Sequence, residues 1–529
     1  MIAVTHQCAV ITRRDGRIGA VREMESALAH HSGGEGANAP WAADRPTTAP
    51  LLPRMSAMPS PIARVARATL PLLLPAALAA QPAAPRADEH AEERAILAEL
   101  VGINSSSGTE GVPAAARAMA ARLRSAGFTD GQVQLLGPTP ELTALVVRYP
   151  GRDRARKPIL LMAHLDVVPA LRIDWDSDPF TMAERDGYYY GRGVEDNKAG
   201  VAAIVATLVR WKRDGWTPAR DLVAVLTADE ETDGKSMQWL LANHRALVDG
   251  EFALNTDAGG VALDRGRPLT FSVQASEKVF MNYRLEVFNP GGHSSVPRAD
   301  QAITTLAGGL VRLGAHRFPA RLNEVTRAFV RASAPMQDAA TGALMRAAAE
   351  QGDSAALEAL TRRADWFNAT LRTTCTATRL AGGHADNALP QRAIALVNCR
   401  VLPDDPLPTV QATLQRVVGD SVRVVPAWEG IASPVSPLRP DVMGAIASVV
   451  RRELPGVTIV PEMSTGATDG LYTRNAGIPT YGFSALAFEQ SAPSRAHGRD
   501  ERIGVDSFHQ SVRVWQRVVE QVAGGAPVP

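Results

Sequence analysis

Two histidines and three acidic residues, spread from position 164 to position 497, each stand in or just after a short apolar run or a glycine turn. They are His164 in Ile159-Leu-Leu-Met-Ala-His164, Asp196 in the turn Gly191–Lys198, Glu231 closing Thr227-Ala-Asp-Glu-Glu231, Asp257 in Asn255-Thr-Asp257, and His497 in Ala496-His-Gly498. Two imidazoles and three carboxylates suit zinc or a similar divalent ion, with one oxygen-bearing group left to be shared between two ions. A pair of ions would bind water, lower its pKa and polarise a carbonyl, which points to a hydrolase. The wide spacing constrains topology. If His497 joins the other four, residues 276–432 must be an insertion within the domain that carries the ligands.

Apolar runs at Leu142–Val147, Ile159–Ala163 and Asp221–Thr227 read as buried strands, and helical spacing marks His90–Val101, Pro113–Ala126, Ala199–Trp211 and Lys235–His244. Alternating strands and helices predict an α/β fold whose sheet is covered by helices on both faces. The candidate ligands fall just after strands, where open α/β sheets carry their sites. Near Ser276 the texture changes. Phe280–Phe288 alternates, Ala302–Leu313 is helical, and an Ala- and Arg-rich helical stretch runs from about Arg321 to Thr370. Two strands around Cys375 and Cys399, a helix Pro408–Val418 and a strand Val422–Val425 complete an α+β module. After Pro437 the α/β pattern resumes, with a helix to Leu454, an apolar segment ending in Tyr481–Phe483 and a last helix Ser507–Val522. The expected organisation is a catalytic domain over 81–275 and 433–529, interrupted by a lid domain over 276–432.

The chain has 529 residues, 45 % of them hydrophobic, enough for two or three domains with a full core. Its formal charge is +1 and no basic stripe with interleaved aromatics occurs, so no nucleic-acid partner is expected. Residues 1–54 are polar with no sustained period, and read as a non-structural, over-extended start. From Met55 a basic segment leads into the apolar run Ala68–Ala80, which ends in small residues and matches a secretory leader over 55–80. That run is too short for an ordinary membrane span. A periplasmic or secreted protein beginning near Gln81 is the expectation; the alternative is a disordered extension on a cytoplasmic one. Cys8 would be removed with the leader. If Thr374–Leu380 pairs with Ala393–Val401, Cys375 and Cys399 lie opposite each other, either as a disulfide or as two reduced core cysteines. No Cys-x-x-Cys occurs, which excludes zinc ribbons and thioredoxin-type redox chemistry.

Strand alternation places His164 and Asp166 on one face, where Asp166 can fix the imidazole tautomer. Two glycines in Gly191–Lys198 permit a tight turn that leaves Asp196 at the mouth of a helix, able to bridge two ions. Asp229, Glu230 and Glu231 crowd like charges at a strand end, which calls for a cation or a proton between them. One glutamate can bind metal while its neighbour shuttles a proton.

Together and in this order these stretches resemble the M20 family of metallopeptidases, from about His90 to Val522. Ser276-Glu-Lys278, Pro290-Gly-Gly-His-Ser-Ser295, Gly382-Gly-His-Ala-Asp-Asn-Ala-Leu-Pro390 and Thr465-Gly-Ala-Thr-Asp-Gly470 are similar to the carboxypeptidase S and N-acyl-amino-acid hydrolase branch. The resemblance implies a zinc-exopeptidase-like catalytic domain with a mixed sheet, and an inserted α+β lid of the dimerisation type. It implies two zinc ions, or another divalent metal, with Asp196 bridging. His164 and Asp257 would complete one site, Glu231 and His497 the other. Glu230 becomes the general base, Asp166 orients His164, and a cis peptide is implied at Asp196–Asn197. In the lid, His293 would donate to the oxyanion, assisted by Asn387, and Arg400 would clamp a substrate carboxylate. Gly466 and Thr468 would line the same pocket. The stretch Arg321–Thr370 is longer than the lid of the simplest relatives, so His293 is open to acting on its own site or on that of a second copy in a homodimer.

The expected activity is hydrolysis of an amide next to a free amino-acid carboxylate, in small peptides, of carboxypeptidase or dipeptidase type. Deacylation of N-acyl amino acids, biosynthetic deacylation in the cytoplasm, and peptide capture by an inactive relative are the alternatives.

Overall fold

Strands Ile159–His164, Leu222–Thr227 and Phe252–Asn255 are buried along their whole length. They run parallel and adjacent, with Ile159–His164 in the middle. Their side chains divide by parity. Ile159, Leu161 and Ala163 join Leu222, Ala224 and Leu226 in one apolar cluster, while Leu160 and Met162 join Val223 and Val225 in another. Helix Lys198–Asp214 contributes to the first cluster and helix Lys235–Asn243 to the second. A strand buried on both faces needs no polar alternation, which is why these runs read as continuous apolar text.

In the computed structural model, which describes residues 90–492 and 494–524, these strands belong to a ten-stranded mixed sheet. The polar start 1–54 and the leader-like segment 55–80 lie outside the described residues. The order across the sheet is Val133–Leu136, Ala144–Tyr149, Leu222–Thr227, Ile159–His164, Phe252–Asn255, Thr480–Gly482, Arg267–Glu277, Gly260–Asp264 and Ala487–Glu489, with Thr458–Ser464 also on Arg267–Glu277. The expected α/β class with helices on both faces is what the chain forms. The hairpin Gly260–Asp264/Arg267–Glu277 and strand Thr458–Ser464 were not anticipated. Gln274, Ser276 and Glu277 are buried polar residues in the strand Arg267–Glu277, so apolar periodicity misses it.

A second, four-stranded antiparallel sheet runs Thr374–Gly382, Arg392–Val401, Val279–Phe288, Arg423–Pro426. It buries one face only: Val279, Met281, Tyr283, Leu285 and Val287 pack with Ala393, Ala395, Val397, Cys399 and Val401, under Leu306 and Leu414 of two helices. Cys375 and Cys399 are register partners and form a disulfide, settling that alternative.

The helical stretch after Arg321 is not one helix but four: Glu324–Ser333, Ala339–Gln351, Ser354–Thr361 and Asp365–Leu371. Three of the starts are set by side-chain caps. Asn323 forms a capping box with Thr326, and Asp338 and Asp353 accept N–H groups of the next turn. Helix Glu324–Ser333 packs on strand Thr458–Ser464, with Val325 buried in the core of the large sheet. First and last helices are also tied: Glu93 Oε1 lies 2.8 Å from His90 Nδ1 and 3.2 Å from His509 Nδ1, while its other oxygen accepts from Arg210 at 2.8 Å. Among the described residues no helix is long and apolar enough to cross a membrane.

Candidate metal centre

Three adjacent parallel strands end at one place. His164 is the last residue of Ile159–His164, Glu230 and Glu231 follow Leu222–Thr227, and Asp257 follows Phe252–Asn255. Asp196 arrives from the turn before helix Lys198–Asp214, and His497 from a loop more than two hundred residues later. His164 Nε2 lies 2.9 Å from Asp196 Oδ1 and 3.6 Å from Asp257 Oδ1. His497 Nε2 lies 3.1 Å from Asp196 Oδ2 and 3.0 Å from Glu231 Oε2. Two triads of donor atoms therefore share Asp196, one oxygen facing each histidine, with every ligand atom of a triad within 4.8 Å of the others. Glu230 Oε2 is 4.0 Å from His164 Nε2 and belongs to neither triad.

The Asp196 turn is held from behind. Buried Glu501 accepts N–H groups from Gly193 at 3.0 Å, Glu195 at 2.8 Å and Asp196 at 3.1 Å, and the Arg192 guanidinium at 2.6 Å. Gly193 sits at φ +85°, and a Cβ there would lie 2.7 Å from Val167 Cγ1, so only glycine fits. The peptide Asp196–Asn197 is cis. Asn197 Oδ1 accepts the Thr256 hydroxyl at 3.0 Å, linking this turn to the loop that carries Asp257. His497 adopts φ +63°, an uncommon conformation for a side chain of this size and one that collects at functional sites.

Asp166 orients the site differently from the sequence expectation. Its main-chain carbonyl, at 3.0 Å, is nearer to His164 Nδ1 than its carboxylate at 3.5 Å. The carboxylate instead accepts the backbone N–H of Glu230 at 3.1 Å and of Glu231 at 2.9 Å. One residue thus fixes the imidazole and the acidic pair together.

Charge crowding sets the electrostatics. Burial, then the Asp257 carboxylate, pushes the Glu230 carboxyl well up from its ordinary value. Burial pushes Asp257 up to about 6. Burial opposes a charge on Asp196, yet His164 and His497 hold its carboxyl well below the usual range. Asp196 and Glu231 push His497 up to about 10. Protein groups alone balance these carboxylates only by holding protons. Two divalent cations at the two triads would replace those protons, and nitrogen plus carboxylate donors are what such ions take, so the residues fit a metal pair.

The remaining candidates lie elsewhere. His293 is exposed on a short strand pairing with Ala388–Leu389, and its Nδ1 accepts from Ser295 N at 3.1 Å. Ser294 N–H donates to Asn387 O at 2.9 Å, so His293 and Asn387 are neighbours of each other. None of their hydrogen bonds reaches the triads. Arg400 stacks 4.8 Å over Phe280 and approaches Thr465 O at 3.5 Å. Gly466 N–H donates to Ser464 Oγ at 3.0 Å and the Thr468 hydroxyl to Glu277 at 3.0 Å, so both are committed inside the protein here. Two residues escaped sequence reading. Asp469 is buried, takes the Thr227 hydroxyl at 2.5 Å, and burial pushes its carboxyl up to about 8. Glu501 is the other, and an acid four residues beyond a candidate histidine carries too weak a signal to find it.

Comparisons with known proteins identify the family and the fold. Residues 160–521 match Peptidase family M20/M25/M40. A probable carboxypeptidase S-like protein of Dictyostelium discoideum is 27% identical over 391 residues, 71% of this chain and 74% of the relative. An N-fatty-acyl-amino acid synthase/hydrolase of Homo sapiens is 30% identical over 380 residues, 69% of this chain and 74% of the relative. The crystal structure of an M20 family metallo-carboxypeptidase from Sulfolobus solfataricus shares the fold, with TM-score 0.62 and 17% identity over 82% of this chain and 99% of that one. The chain belongs to the M20/M25/M40 peptidase family, in the company of carboxypeptidase S-like and N-acyl-amino-acid-hydrolase relatives, and is a hydrolase.

Proposed function

We propose that this protein is an exported two-zinc hydrolase that cleaves the amide bond beside a free amino-acid carboxylate in small peptides. The observation that carries the reading is the pair of donor triads sharing Asp196, with the half-buried Glu230 carboxyl alongside and in neither triad. His164, Asp196 and Asp257 would hold one ion, and Asp196, Glu231 and His497 the other. Bound there, zinc or another divalent ion would supply Lewis-acid polarisation of the amide carbonyl and a lowered pKa for water.

The protein's own groups do the rest. Glu230 takes the proton of the attacking water and passes it to the leaving nitrogen, as a carboxylate beside both triads but in neither is placed to do. Asp166 keeps Glu230 and Glu231 in place through their backbone N–H groups. Arg400 offers the substrate carboxylate a guanidinium that lies 4.8 Å over the Phe280 ring. His293, with Asn387 beside it, donates to the developing oxyanion once the lid, residues 276–432, closes. The apolar run Ala68–Ala80 supports export to the periplasm or medium, and the mature N-terminus, read by mass spectrometry, checks it.

A second reading has its own support: the human relative is named an N-fatty-acyl-amino acid synthase/hydrolase, and the same centre would remove an acyl group from an amino acid. A panel of dipeptides and N-acyl amino acids, assayed with the metal-loaded protein, separates the two. Release of amino acids from dipeptides, lost with chelator and in Glu230→Gln, is the expected result. Turnover of N-acyl amino acids alone transfers the assignment to the second reading. Tight peptide binding without turnover makes the protein a binding relative instead.

A further inference from the structure

His164 and His497 face the two oxygens of Asp196, yet the chain holds them in opposite ways. His164 ends a strand buried on both faces, and its side chain is 1 % exposed. The His497 side chain is 54 % exposed, and Ser494, Arg495 and Arg499 beside it are exposed too. Packing does little to place this imidazole, so polar contacts must. Its φ of +63° is a conformation that persists only where surrounding contacts enforce it.

Beyond His497 the loop is tied at several points: Asp500 Oδ1 accepts Asp176 N–H at 2.9 Å, and Glu501 grips the Asp196 turn. Before His497 it is tied by one side chain. Glu195 takes the Ser494 hydroxyl on Oε1 and the Arg495 N–H on Oε2, the latter at 3.2 Å. Ser494 Oγ in turn accepts Ala496 N–H at 3.1 Å, and Gly498 N–H donates to Arg495 O at 2.8 Å, closing a turn around His497. Among the described residues, no other side chain from outside this loop is hydrogen-bonded to residues 494–496. The bracing is reciprocal. Glu195 in the turn holds the loop, while Glu501, just past the loop, accepts the backbone N–H of Glu195 at 2.8 Å. Glu195 itself belongs to neither triad.

We propose that Glu195 is a positioning residue that assembles the triad of Asp196, Glu231 and His497, and that the triad of His164, Asp196 and Asp257 forms without it. The inference rests on the two-ion reading above. It makes the affinity for one ion, and not the other, depend on a side chain outside both ligand sets.

Stepwise withdrawal of zinc from the loaded full chain by a chromophoric chelator tests this, with the ions released counted at each step. The unaltered protein is expected to release two ions. Glu195→Ala is expected to weaken one of them at least about tenfold, the size of one lost charge-assisted hydrogen bond, and to leave the other unchanged. Glu195→Gln is expected to keep the unaltered pattern, because its amide can accept the Arg495 N–H and donate to the Ser494 hydroxyl. Ser494 is exposed, so Ser494→Ala leaves the fold intact and is expected to weaken the same ion about threefold. In a His497→Ala background, which retains one ion, Glu195→Ala is expected to change nothing further. Equal weakening of both ions by Glu195→Ala, or of neither, overturns the proposal. So does weakening of the ion that survives in His497→Ala, or a Glu195→Gln variant as impaired as Glu195→Ala. In each of those cases two ions on the unaltered chain leave the two-ion reading standing, whereas a single ion there overturns that reading and the proposal together.

Discussion

The ten-stranded sheet and the four-stranded sheet solve opposite problems. Central strands of the first are covered on both faces and lead into His164, Glu231 and Asp257, so these candidate ligands stand on or just after backbone packed from both sides. The second buries one face and leaves the edge strand Thr374–Gly382 exposed over most of its length. Its candidate groups, His293 and Asn387, are exposed and bonded to their own loop neighbours. Ion-binding groups need fixed distances, which a doubly covered sheet supplies. Groups that act only when substrate is enclosed need freedom, which a one-faced sheet at the surface allows.

The largest test of this contrast is chemical. Glu230→Gln is expected to reduce kcat by about 10²–10⁴-fold with metal content unchanged, measured by steady-state kinetics alongside elemental analysis. Loss of metal in that variant would mean that Glu230 is a ligand rather than a base. Truncating the doubly covered sheet comes next: Leu161→Ala should lower unfolding stability by about 2–5 kcal/mol in denaturant titration. In the lid, the disulfide closes a sequence separation of 24 residues, and Cys399→Ser should remove about 3 kcal/mol from the lid's stability. If it also displaced metal, the two regions would be coupled more tightly than their separate apolar clusters imply.

A smaller, pH-dependent effect follows from the proton load of the metal-free centre. Asp257, Asp469 and His497 have folded-state values of about 6, 8 and 10, all raised above their ordinary values. Each contributes stability that is complete below its unfolded pKa and disappears as pH rises through the folded value. The chelated protein should therefore lose Tm progressively between about pH 4 and pH 7, above which the buried Lys198 and Lys278 ammoniums, both pushed down to about 7, act in the opposite direction; the metal-loaded protein, whose ions replace the protons on the triads, should lose less. A chelated protein that gains Tm over that window would contradict the charge arrangement. Least of all, Leu380→Ser on the exposed edge strand should change stability by no more than about 0.5 kcal/mol.

Much of the large sheet was readable because burial on both faces writes unbroken apolar runs, as in Ile159–Ala163 and Leu222–Thr227. The lid was readable for the opposite reason, since Phe280–Phe288 alternates with period two. Strand Arg267–Glu277 was not, because its end buries Ser276 and also Gln274 and Glu277, the last two in a polar network with Arg474 and Thr468 that local hydropathy cannot register. The four helices after Glu324 looked like one stretch because their composition is uniform, and only the caps at Asn323, Asp338 and Asp353 divide them.

Taken alone, the sequence determined which chemical groups are present and what local backbone carries them: histidine at a strand end, paired glutamates after another, an aspartate in a glycine turn. Those are properties of a few neighbouring residues, and local sterics and hydropathy set them. Tertiary structure decided the rest. That each Asp196 oxygen faces a different histidine depends on Glu501 gripping the turn from far along the chain, and on strand order bringing three strand ends side by side. That Asp166 holds His164 by its carbonyl and the glutamates by its carboxylate is equally a matter of packing. Distances between groups hundreds of residues apart come from how sheets stack and loops close, and no short-range pattern encodes them.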